Sequence, residues 1–147
     1  MYDPKGRSAK KDDHHVRVYR WLQDSEAWAH ASGNEIKALL YIAKFDFGDN
    51  NGRINMSERR LAEGIRVDRK TARKALRGLQ EKGFLECTSP GSFRAKRSPA
   101  AEWRLTWKSW PDRSRAATHE YRRWRSPEKT SGGETPRQRG KYSPSAF

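Results

Sequence analysis

Apolar positions along the chain fall into short periodic runs separated by turn-forming residues. Ser32-Gly33-Asn34-Glu35 has the Ser-x-x-Glu form of a capping box, and Ile36, Leu39, Leu40 and Ala43 follow at i, i+3, i+4 and i+7. That spacing predicts a core helix over residues 34–46. Asp49-Asn50-Asn51-Gly52 tolerates positive φ and predicts a turn, followed by a short extended piece around Arg53-Ile54-Asn55. Ser57 stands as the N-cap of a short helix from Glu58 to Glu63 that buries Leu61 and Ala62 and ends near Gly64. Asp68 caps a third helix, Arg69 to about Lys82, and Gly83 ends it. Phe84–Thr88 and Glu102–Trp107 read as strands flanking a basic loop, Ser89 to Ala101, and in the second strand Trp103, Leu105 and Trp107 alternate with Arg104 and Thr106.

The element order is helix, short strand, helix, turn, helix, strand, long basic loop, strand. It predicts an α+β fold class, a single winged helix-turn-helix domain over residues 16–110, with the helix-turn-helix at about 58–82 and the wing at about 84–107. Val16 to Ala31, with Tyr19, Trp21, Leu22 and Trp28, has a mixed period; it is expected to be ordered, either extending the core or supplying a dimer surface. Residues 1–15 have almost nothing to bury and read as a flexible arm.

From Pro111 to Phe147 there is no Leu, Ile, Val or Met, while Pro, Gly, Ser and Arg are frequent. Such a composition does not offset the entropy of ordering a backbone, so 111–147 reads as a basic, largely disordered tail. Within it Tyr121 and Trp124 lie three apart after Thr118, a spacing that leaves open whether a short helix over 118–125 docks on the domain.

Charge sharpens this picture. The chain of 147 residues carries 32 Lys and Arg against 18 Asp and Glu, a net +14, with 33% hydrophobic and 34% charged residues. Residues 1–52 are neutral overall, with eight cations and eight acids; residues 53–107 hold 14 cations and 6 acids, and residues 108–147 hold 10 and 4. The excess therefore sits on the helix-turn-helix, the wing and the tail. It favours a polyanionic partner. A membrane surface would ask for a lipid-seeking helix, and the longest apolar run, Ala38 to Ala43, is far short of the ~20 residues of a span. The expectation is a soluble, cytoplasmic, nucleoid-associated bacterial protein with no membrane partner.

The third helix concentrates the signal. At about 100° per residue from Ala72, Leu76 falls near 40°, Leu79 near 340° and Ala75 near 300°, an apolar stripe about 100° wide. Arg69, Lys70, Arg73, Lys74 and Arg77 fall between about 60° and 200°, a continuous cationic face. A face built for solubility mixes both signs, and this one sets five cations before its first acid, Glu81. A recognition helix in the DNA major groove accounts for it: Arg bonds guanine O6 and N7 bidentately, and Thr meets a base edge or a thymine methyl. Base contact is expected from Arg69, Lys70, Thr71 and Arg73, and backbone contact from Lys74 and Arg77 as the helix leaves the groove. The loop Ser89 to Ala101 carries Arg94, Lys96 and Arg97 and no acid, which suits phosphate contact or insertion into a narrow minor groove.

Three runs carry a resemblance: Ser57-Glu58-Arg59-Arg60-Leu61-Ala62-Glu63; Val67-Asp68-Arg69-Lys70-Thr71-Ala72-Arg73-Lys74-Ala75-Leu76; and Leu79-Gln80-Glu81-Lys82-Gly83-Phe84-Leu85. They resemble a bacterial winged helix-turn-helix, closest in wording to the GntR-type motif. The resemblance implies that Ser57 caps the second helix at the DNA backbone, that Arg59 approaches the backbone or groove, and that Arg69, Thr71 and Arg73 contact DNA. One departure stands out. The turn position where such motifs commonly carry Gly is Arg66, with Gly64 two residues earlier, so either the turn is altered or Arg66 adopts a left-handed conformation at about 1 kcal/mol; the change also leaves Arg66 available for a phosphate. With Asn50-Asn51-Gly52-Arg53-Ile54, the 102–107 strand and Thr118–Trp124, the chain also resembles small helix-turn-helix proteins of phages, plasmids and other mobile elements.

Other chemistries find little support. Asp12-Asp13-His14-His15 lies in the arm without a scaffold to converge on an ion, so no metal site is expected. No Gly-x-x-x-x-Gly-Lys loop or catalytic triad context is present, and Cys87, the single cysteine, reads as a small buried strand residue. No enzyme activity and no cofactor are expected. The leading expectation is a sequence-specific duplex-DNA-binding transcriptional regulator without a ligand-sensing domain, acting as a homodimer or with a protein partner through its N-terminal region or tail. A replication-initiation or replisome-loading factor is the alternative, and a non-specific nucleic-acid-binding structural protein the third.

Overall fold

The computed structural model describes residues 14–91, 99–112 and 114–127. The rest of the arm, the loop residues Arg94, Lys96 and Arg97, and the tail beyond residue 127 lie outside the described residues. The architecture is α+β: helices α1 (Arg20–Gln23), α2 (Glu26–His30), α3 (Gly33–Ala43), α4 (Glu58–Ile65) and α5 (Arg69–Glu81), with a small antiparallel sheet of β1 (Ile54–Asn55), β2 (Leu85–Ser89) and β3 (Glu102–Leu105). Sheet order is β1-β3-β2, so β3 is central. Leu85 faces Leu105, Glu86 faces Arg104 and Cys87 faces Trp103, after which an irregularity brings Ser89 opposite Glu102.

Local chemistry sets the helix ends. The side chains of Ser25, Ser32, Ser57 and Asp68 each accept the backbone N–H three residues on, at Trp28, Glu35, Arg60 and Thr71. Thr71 holds the Asp68 carboxyl below the ordinary aspartate range. Between α4 and α5 the chain turns through Arg66, at φ 56° and ψ 54°, a left-handed residue that is not glycine. The stretch Val16 to Ala31 resolves into α1 and α2, broken at Asp24 and Ser25, and buries Leu22 and Ala27.

One core joins all elements: Leu22, Leu39, Ile42, Ile54, Met56, Leu61, Ile65, Leu79, Phe84 and Leu105 are essentially inaccessible. The buried side chains of α5 are Ala72, Ala75, Leu76 and Leu79, the four of the predicted stripe. On α3 the buried face differs from the sequence expectation. Ala38, Leu39 and Ile42 point inward, whereas Leu40 is exposed and Ile36 and Ala43 are half-buried. The inward face is the one that meets α4 and α5, where Glu35 pairs with Lys82 at 3.0 Å.

The larger difference concerns the segment after Trp110. The alternation in β3 predicts one buried face, yet Trp103, Arg104, Leu105, Thr106 and Trp107 are all buried. Residues 118–122 cross the outer face of the sheet and close it. Thr106 O accepts the N–H groups of Thr118 and His119, and Thr106 Oγ1 donates to Gly83 O at 2.7 Å. Arg104 is enclosed by Glu86 (2.6 Å), Glu120 (3.3 Å) and the Thr118 hydroxyl. Tyr121, on a 3-10 turn Glu120–Arg122, is fully buried and stacks on Phe84 with ring centres 5.4 Å apart. Gly83, at φ 77°, permits this crossing, because a Cβ there would lie 2.7 Å from Tyr121 N. The packed unit therefore continues past residue 110, and the segment expected as tail or short helix supplies part of the core.

At the far end of the sheet Asn51 acts as a clamp. Its Oδ1 accepts from Leu105 N at 2.8 Å and its amide donates to the carbonyls of Leu105, Lys108 and Ser109. Among the described residues no helix is long and apolar enough to cross a membrane.

Candidate nucleic-acid interface

Because the stripe on α5 is buried, its opposite face is solvent-facing by geometry: Arg69, Lys70, Arg73, Lys74 and Arg77 are all exposed. Arg69, Lys70, Thr71 and Arg73 occupy the first turns, and Lys74 and Arg77 follow toward the middle of the helix. Thr71 is half-buried.

Between α5, the start of α4 and the β2–β3 hairpin lies a cleft of about 610 Å³. Its apolar base is formed by Met56, Leu76 and Trp103, and Arg69, Arg73 and Arg77 stand at its edge. On the hairpin side the cleft is lined by Pro90, Gly91, Pro99, Ala100 and Ala101; Arg94, Lys96 and Arg97, expected in the wing, lie outside the described residues. Trp103 is buried and donates its indole N–H to Met56 O at 2.9 Å, so it is a core residue and offers no stacking platform.

The backbone-contact candidates are spread around this cleft. Ser57 and Arg59 line it. The Ser57 hydroxyl accepts from Arg60 N as the α4 cap, and the exposed Arg59 guanidinium pairs with Glu63 at 3.1 Å. Arg66 is exposed in the turn ahead of α5. Arg60, in contrast, points away: it lies over the Phe45 ring at 4.3 Å and donates to Asn55 O. Cys87, half-buried at the cleft, has its thiol pushed up in pKa by burial.

One residue that sequence reading did not single out sits among the cations. Glu58, in the first turn of α4, receives Arg73 Nε at 3.0 Å and Nη2 at 3.0 Å, and Arg69 Nε lies 3.5 Å away. This bidentate contact raises the Arg73 pKa further above an already high value, so the group stays charged. The separation of 15 residues matches no helical or strand spacing, and only the packing of α4 on α5 creates the pair. An acid in the first turn of a helix reads locally as a partner of the helix dipole and nothing more.

The arrangement presents a helix face with five exposed cations, three of which, Arg69, Arg73 and Arg77, line the cleft. Comparison of the chain with protein-family models, with curated proteins and with solved structures finds no match.

Proposed function

We propose that this chain is a winged helix-turn-helix protein that binds duplex DNA sequence-specifically and acts as a transcriptional regulator. The observation that carries the reading is the α5 face: Arg69, Lys70, Arg73, Lys74 and Arg77 are exposed together while Ala72, Ala75, Leu76 and Leu79 anchor the helix in the core. A helix of about 10–12 Å diameter fits the roughly 12 Å major groove, and a fixed helix presents its side chains in one register. In this reading Arg69, Lys70, Thr71 and Arg73 meet base edges. Ser57, Arg59, Arg66, Lys74 and Arg77 meet phosphates, and the hairpin, with Arg94, Lys96 and Arg97, is a wing laid along the backbone.

The test is the salt dependence of duplex binding. Seven cations are assigned to phosphates, so the logarithm of the association constant falls with the logarithm of salt at a slope of about −6. Anisotropy titrations between about 50 and 200 mM salt then show an affinity loss of 10³-fold or more. Lys74→Glu combined with Arg77→Glu abolishes duplex binding while the thermal midpoint is kept. A slope near −1, or full binding by the reversed-charge variant, refutes the proposal.

A further inference from the structure

Among the described residues that line the cleft, Glu58 is the sole acid. On a surface that must meet a polyanion, a carboxylate lowers affinity for every phosphate backbone, so a site selected for affinity alone would not keep one at its centre. Its geometry shows what it does instead. Glu58 is about one quarter exposed, and it grips Arg73 side-on through Nε and Nη2. The end-on edge of the guanidinium, Nη1 with the second Nη2 proton, takes no part in that grip. An end-on guanidinium edge is the donor pair that matches guanine O6 and N7. A free arginine has several rotatable bonds, and holding it by one edge removes that freedom before a base arrives.

We propose that Glu58 is a positioning residue that determines specificity: it holds Arg73 with its end-on edge outward to read a guanine, and it repels phosphates that would otherwise capture Arg69 and Arg73. The inference rests on the duplex-binding reading above. It predicts an unusual signature, in which removing the acid strengthens non-specific binding and weakens discrimination. A purely structural Glu58 would move both affinities the same way.

The experiment uses two probes: the tightest duplex recovered by the wild-type protein from a random pool, and the same duplex shuffled. Glu58→Gln binds the shuffled duplex more tightly than wild type does, and its preference for the recovered duplex falls about tenfold or more, the discrimination expected of one bidentate base contact. Glu58→Asp keeps the charge at the α4 N-terminus but is one methylene shorter, and it loses the preference with an unchanged thermal midpoint. Arg73→Lys keeps the cation without the fork and reproduces the loss, and the Glu58→Gln/Arg73→Lys pair adds nothing further. Replacing guanines of the recovered duplex by 7-deazaguanine one at a time, which removes N7, weakens wild type at one position and leaves Glu58→Gln unchanged there.

If Glu58→Gln or Glu58→Asp discriminates within about twofold of wild type, Glu58 serves only the helix and the inference is overturned while sequence-specific binding stands. Parallel loss on both duplexes with a lowered thermal midpoint also overturns it. If wild type recovers no duplex, the functional reading fails and takes the inference with it.

Discussion

Replacing Tyr121 by alanine is expected to destabilise the whole domain, although Tyr121 lies in a stretch whose composition reads as a tail. Its ring is fully buried, stacks nearly parallel on Phe84 at 5.4 Å, and lies 6.3 Å from Trp21. Its hydroxyl oxygen is 3.1 Å from His119 Nδ1. Truncating a buried aromatic side chain costs about 3–5 kcal/mol, and an aromatic stack adds about 0.5–1.5 kcal/mol to what area alone gives. The full range applies because the cavity would open beside Phe84, a core residue, beneath a segment tied to Thr106 and Arg104, which limits its collapse. Against a total stability of about 5–15 kcal/mol this is about a fifth or more. At about 4–8 °C per kcal/mol for a domain of this size the midpoint falls by at least about 12 °C. Urea unfolding followed by tryptophan fluorescence, with calorimetry beside it, measures the loss. Tyr121→Phe keeps the stack and drops only the hydroxyl, a change of about 1 kcal/mol. A Tyr121→Ala protein within about 1 kcal/mol of wild type would refute the claim that residues 118–122 close the core.

The remaining predictions follow from single contacts. Gly64→Ala is destabilising by about 1–3 kcal/mol despite the better helix propensity of alanine, because the new Cβ would lie 2.1 Å from the Tyr41 ring, and Tyr41→Ala in the same chain relieves the clash; thermal midpoints of Gly64→Ala, Tyr41→Ala and the double variant check it. Arg66→Gly removes the left-handed strain at φ 56° and raises the midpoint by up to a few degrees, yet, on the proposed function, weakens duplex binding by the loss of the phosphate contact proposed for Arg66, so stability and affinity move in opposite directions. His119 is held below the ordinary histidine range, first by burial and then by Arg122. The unfolded chain therefore takes up the proton first, so its contribution to stability is complete above about pH 6.5 and is lost as pH falls through the folded value. The thermal midpoint falls as pH drops below about 6.5, and His119→Asn, which also tolerates the left-handed backbone, flattens that fall. Asp68 and Asp112, whose carboxyls are held low by hydrogen bonds, act only below about pH 4.

Where local chemistry decides, the sequence is readable. Caps at Ser32, Ser57 and Asp68, the glycine after α5 and the 3.6-residue stripe on α5 are all written within a few residues of where they act, and the helices begin and turn there. Where packing decides, it is not. The face of α3 depends on which side meets α4 and α5, and Ala38 and Ile42 compete with Leu40 on nearly equal terms in a helical wheel. In α1 and α2 each helix is shorter than two turns, too short to establish a period. The segment 114–125 looks structureless because it lacks Leu, Ile, Val and Met, but one tyrosine placed over Phe84 and two polar partners for Arg104 suffice to dock it. Arg104 itself shows why alternation misleads on a central strand: when both faces are covered, the polar set must be buried with partners instead of left in water. In the candidate interface the cations of α5 are legible from their angular spread, whereas the Glu58–Arg73 pair arises only when two helices meet.

The central claim is that α5 reads base sequence, and selection of binding sites from a random duplex pool at about physiological salt tests it most directly, because non-specific electrostatic binding is weakened there. The account predicts a recovered motif containing at least one guanine whose replacement costs wild type about tenfold and costs Arg73→Ala nothing. Salt-sensitive binding with no enriched sequence would contradict it.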